Sequence, residues 1–74
     1  MEAPPYAVFL FPSVSHVLKA EKILKAAGIV HKLIPVPRHI STDCGVCLRF
    51  EPPLRPQIVA TLRDRVEIAA ILPL

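Results

Sequence analysis

Two thiols, an imidazole, two guanidinium groups, two hydroxyls and a carboxylate fall within one short stretch of this 74-residue chain. It runs Arg38-His39-Ile40-Ser41-Thr42-Asp43-Cys44-Gly45-Val46-Cys47-Leu48-Arg49 and holds both cysteines. Cys44-Gly45-Val46-Cys47 is a C-x-x-C, a spacing that serves zinc binding, dithiol redox exchange, or a reactive thiol with a second thiol at hand. Thioredoxin-type use sets the first cysteine at a helix N-terminus after a strand. Here the motif precedes a strand-like segment, which ranks that chemistry below the others. A structural zinc site takes four ligands. Cys44, Cys47, His39 and, from a neighbouring loop, His16 could supply them, but there is no second C-x-x-C and no closely spaced histidine pair.

The remaining chemistry is that of a nucleophilic or carrier thiol at Cys44. Arg38, His39 and Arg49 bring positive charge in sequence, and Gly45 is expected to let the backbone turn tightly and expose the sulfur. Cationic neighbours favour thiolate over thiol, and the adjacent Asp43 opposes this unless an arginine pairs with it. His39 is a candidate proton carrier, although a lone loop histidine is commonly just a surface residue. Ser41 and Thr42 are better suited to forming the turn than to catalysis. A blander alternative makes both thiols structural.

The size of the chain allows one small domain over residues 1–74, with no room for a separate substrate domain. The chain is 53% hydrophobic and 20% charged, with a mean hydropathy of +0.49. That is greasy for a domain this small, so apolar surface should remain after folding and self-association would cover it. The longest uncharged run, Pro4 to Leu18, is broken by Pro5 and Pro12 and falls short of the ~20 apolar residues of a spanning helix, so no membrane span is expected. The first five residues lack the basic start of a secretory signal, which makes a cytoplasmic address the expectation. In a reducing compartment two cysteines serve more readily as thiols or ligands than as a structural disulfide. A net charge of +3 without basic runs, and with 5% aromatic residues, argues against nucleic-acid binding.

The elements that must hold the stretch in place read clearly. Tyr6 to Phe11 is an apolar, aromatic and β-branched run suited to a strand covered on both faces. Pro12 ends it, Ser13 is the N-cap of a helix over Val14–Ala27, and Gly28 sits where a left-handed residue closes the helix. Val17, Ala20, Leu24 and Ala27 share one helical face, and Lys19, Lys22 and Lys25 belong to a solvated one. A second strand spans Ile29–Ile34 and ends at Pro35-Val36-Pro37. After the central loop, Val46, Leu48 and Phe50 alternate with Cys47, Arg49 and Glu51 in a third strand. Pro52-Pro53 breaks it, a helix from Pro56 to about Arg65 follows with Leu54, Ile58, Val59 and Leu62 as its apolar positions, and Val66–Leu72 is a fourth strand.

This βαββαβ order in so few residues predicts an α+β, ferredoxin-like sandwich, with two helices on one face of a four-stranded antiparallel sheet. In that topology the loops after the first and second strands share one end of the sheet. Cys44 should then sit near Ser13 and the positively polarised start of the first helix. The face without helices would be apolar, and a homodimer through it is the expected way to hide it.

Phe11-Pro12-Ser13, Lys19-Ala20-Glu21-Lys22, Gly28-Ile29, Pro35-Val36-Pro37-Arg38 and Ser41 to Cys47 together resemble the family of small selenium/sulfur carrier-like domains. The resemblance covers most of the chain up to Phe50. It implies that one cysteine, matching Cys44, holds sulfur or selenium as a persulfide or selenosulfide and passes it from a donor protein to an acceptor. It implies a carrier rather than a complete catalyst, with no cofactor. From the residues themselves, Arg38 and His39 would assist the transfer and Ser13, Gly45 and Arg49 would help bind the carried group, with Cys47 either resolving Cys44 or taking no part in the transfer. The alternative is a small zinc-binding or protein-interaction module using Cys44 and Cys47 as ligands.

Overall fold

The computed structural model describes residues 6–40 and 45–74. Its elements in chain order are β1 (Ala7–Leu10), α1 (Val14–Ala26), β2 (Lys32–Pro35), β3 (Val46–Phe50), a 3-10 turn (Pro52–Leu54), α2 (Arg55–Leu62) and β4 (Ala70–Pro73). The strands form one sheet in the order β2-β3-β1-β4, and every neighbouring pair is antiparallel. This is the ferredoxin-like α+β arrangement. Because β1 and β2 both run against β3, they run in the same direction.

Alternation decides what each strand buries. Phe9 lies opposite Leu48 and Ile71, and Leu48 lies opposite Leu33, so one row crosses all four strands. With Phe50 and Phe11 it meets Val17, Ala20 and Leu24 of α1 and Ile58 and Leu62 of α2 in a single core. The Phe9 and Phe50 rings pack with centroids 4.5 Å apart, a contact range that adds to simple area burial. The other face carries Ile34, Cys47, Val8, Arg49, Lys32 and Leu72, from the pairs Ile34↔Cys47, Lys32↔Arg49, Val8↔Arg49 and Val8↔Leu72. Val8 and Cys47 are both 0% exposed yet stand outside the main core cluster. Among the described elements no helix covers this face.

The ends of α1 are closed by sequence-local devices. Ser13 is extended (φ −154°, ψ 167°) and its side chain accepts the backbone N–H of His16. At the other end the N–H of Ile29 reaches the carbonyl of Leu24 and that of Gly28 reaches Lys25. With φ +73° at Gly28, this is the Schellman arrangement, which needs a left-handed residue and suits glycine. Ala27 is the C-cap and is exposed, so the buried stripe stops at Leu24 rather than continuing to Ala27.

Most elements shift by a residue at an end, and the larger changes, in β2, α2 and β4, each have a local reason. β2 begins at Lys32, since Ile29 is spent on closing α1 and its carbonyl takes the His31 Nδ1 at 2.7 Å. α2 starts one residue early and stops at Leu62, because Arg63 turns extended (φ −53°, ψ 134°) and Asp64 is left-handed (φ +65°). With the Arg65 N–H on the Leu62 carbonyl at 2.9 Å, residues 62–65 form a type II turn in which aspartate holds the place usually given to glycine. β4 is confined to Ala70–Pro73, and Val66 packs into the core instead of pairing.

Candidate functional site

The site is built at the end of the sheet where β1 and β2 finish and β3 begins. Pro35 pairs with Val46, and just beyond them the Val36 N–H reaches the Gly45 carbonyl at 3.3 Å. These bonds pin both stems of the β2–β3 connection. Ser13 follows β1 at this same end, so the fold sets Gly45 and the start of α1 at one rim. Cys44, with Ser41, Thr42 and Asp43, lies outside the described residues.

Arg38 and His39 sit on this connection, both exposed, in a turn closed by the Ile40 N–H on the Pro37 carbonyl at 3.0 Å. Gly45 is exposed, its φ is not left-handed, and a Cβ built there meets nothing within 4 Å. The chain bends at Gly45, and no neighbour crowds the place where a Cβ would stand. The backbone there would accept another residue.

Cys47 is two residues into β3, wholly buried, beside Ile34. Solvent does not reach this residue in the folded chain. Arg49 stands four residues beyond Gly45, about 13 Å along an extended strand, and its guanidinium lies over the Tyr6 ring, 4.1 Å from the centroid. Such stacking holds the cation by the ring's quadrupole, at the opposite end of the sheet from Ser13.

At the rim itself, Ser13 Oγ and His16 Nδ1 are 2.6 Å apart. The hydroxyl thus serves α1 twice, accepting the His16 backbone N–H at 3.4 Å and holding the His16 ring. When Ser13 donates to Nδ1, the neutral ring carries its proton on Nε2. The first turn of α1 itself contains no acidic residue, while Glu67 shares a hollow with Ser15 and His16 of that turn. His16 was a candidate zinc ligand, but among the described residues no group of three His, Cys, Asp or Glu side chains is gathered closely enough to hold a metal ion. No helix of the described residues is long and apolar enough to cross a membrane.

Fold and site together define a class: a small two-layer α+β domain in which the β2–β3 connection leaves the sheet at the end where α1 begins. A family model described as "Putative Se/S carrier protein-like" matches residues 6–73. The chain belongs to that family. No curated protein and no solved structure matches it.

Proposed function

We propose that this protein is a sulfur or selenium carrier that holds the atom on Cys44 and delivers it to a partner enzyme. Membership of the carrier-like family across residues 6–73 is the observation that carries this reading. The exposed Arg38 and His39 on the same loop and the α1 N-terminus at its rim support it, since positive potential favours thiolate.

The transfer is isoelectronic. The Cys44 thiolate attacks the outer sulfur of a donor persulfide, the donor's S–S bond breaks as the new one forms, and the donor leaves as thiolate with no external oxidant. Delivery repeats the step with Cys44 as the leaving thiolate. Cys47, buried in β3, plays no part in the first attack in this scheme.

The protein also pairs weakly with a second copy through the sheet face that lacks helices. Strand addition at the edges is disfavoured, because β2 and β4 each end in proline and β2 begins with lysine. A face of four strands ~4.8 Å apart and ~15 Å long offers roughly 300 Å². That is below the ~800 Å² per partner of a standard interface, so pairing should depend on concentration.

The test is intact mass after exposure to a persulfide donor (R–S–SH) or to a donor that carries selenium at the same oxidation level (R–S–SeH), either of which leaves as its thiolate. One added sulfur or selenium in the native chain and none in Cys44→Ser is the expected result. The same adduct in both proteins contradicts the reading. Stoichiometric zinc retained through purification, and lost in a Cys44→Ala, Cys47→Ala variant, would favour the ligand-pair alternative.

A further inference from the structure

The helix layer holds an open trough of about 590 Å³ between the second half of α1 and the end of α2. Ile23 and the exposed Ala26, Ala27 and Ala60 make the apolar part of its lining, and Thr61, Arg63 and Arg65 the larger, polar part. A smaller hollow of about 180 Å³ continues it past Ser15, His16 and Lys19. Arg65 lines both, so the two hollows meet at its side chain along the flank of α1. From Ser15 to Ala27 this is about 18 Å of helix.

Two features show how the sequence builds this groove. Alanines at 26, 27 and 60 leave the seam unfilled where larger side chains would close it. The type II turn at residues 62–65 then sets Arg63 and Arg65 both on the groove while Asp64 between them is not part of its lining. Of the described lining residues Glu67 alone is acidic, against Lys19, Arg63 and Arg65. Among the described residues, no carboxylate lies within ion-pair distance of those three cations.

We propose that this groove docks an acidic, amphipathic helical segment of a partner protein. Its apolar face would cover the exposed alanines, and its carboxylates would meet the paired arginines, whose planar forks suit carboxylate oxygens. A free inorganic anion would leave the apolar part of the lining uncovered. A second copy of this chain does not fit either: the exposed side of its long helix carries Lys19, Lys22 and Lys25, and its one acid, Glu21, is turned to His31 at 3.8 Å. That the partner is the donor or acceptor enzyme rests on the carrier reading, whereas the docking itself does not.

The probe is a synthetic amphipathic peptide of about 14 residues, long enough to span the groove, with leucines on one face and glutamates on the other. Titrated into the 15N-labelled full chain, it should shift the amides of Ile23, Ala26, Ala60, Arg63 and Arg65 saturably. Reversing both exposed arginines (R63E with R65E) should weaken it about tenfold or more, two exposed pairs being lost and two repulsions gained. Ala60→Phe, which crowds the apolar part of the lining and keeps the charge, should also weaken it. Cys44→Ser should bind as the native chain does, so failure of the carrier chemistry would leave this result standing. Unchanged affinity in the arginine variant, loss of binding in Cys44→Ser, absence of any shift, or saturation of the same amides by inorganic phosphate alone would overturn the proposal.

Discussion

Replacing Ser13 with alanine tests how the rim of the site is held. The hydroxyl accepts the His16 N–H at 3.4 Å and pairs with His16 Nδ1 at 2.6 Å, and the first turn of α1 has no carboxylate to take its place. Loss of an N-cap costs ~1 kcal/mol, within a range of about 0.5–2. The cap contact here is long, which points to the lower half of that range, while the short, part-buried bond to His16 adds about 0.5–1.5 kcal/mol. A total of about 1–2 kcal/mol lowers Tm by roughly 4–8 °C per kcal/mol in a domain of this size. Thermal unfolding followed by far-ultraviolet circular dichroism reads it directly. Ser13→Thr should recover most of the loss, and Ser13→Gly should cost less than alanine at the cap. An alanine variant melting within 1 °C of the native chain (well under the ~4 °C expected) would refute the idea that this side chain anchors the start of α1.

Three further outcomes follow from burial and backbone geometry. Cys47 is wholly buried, so in a Cys44→Ser background a thiol reagent should label it slowly in buffer and rapidly in denaturing urea; fast labelling in buffer would contradict its placement. Phe9→Ala removes a fully buried ring that packs on Phe50 at a cost of about 3–5 kcal/mol. That is a large part of the ~4–11 kcal/mol expected for a domain this size, so urea denaturation should show a much lower midpoint or no folded baseline. Gly28→Ala meets no neighbour within 4 Å but must hold φ +73°, so it should lose about 1 kcal/mol from backbone strain alone, checked by the same urea titration.

The parts of the fold written in local chemistry were legible from the sequence. Ser13 and Gly28 mark α1 because a cap hydroxyl and a left-handed residue are local needs, and the Val46-Leu48-Phe50 alternation shows which side of β3 faces the helices. What failed to show was decided by neighbours at a distance. Val66 looks like strand but is drawn into the core, and Asp64 takes a conformation usually reserved for glycine, which ends α2 three residues early. In the site, proximity in sequence misled for Arg49: β-structure carries it away from Gly45 and onto Tyr6. Arg63 and Arg65 went unnoticed because their common direction depends on that same turn; an Arg-Asp-Arg just past a helical pattern was the available signal.

The central claim is that sulfur rests on Cys44 and moves on from it. The most direct measurement loads the chain with 34S from a labelled persulfide donor, adds an acceptor thiol, and follows the isotope by mass spectrometry of the Cys44 and Cys47 peptides. The account predicts one labelled sulfur on the Cys44 peptide that passes to the acceptor and leaves the cysteine intact. Label residing on the Cys47 peptide, or label on Cys44 that no acceptor thiol removes, would contradict it.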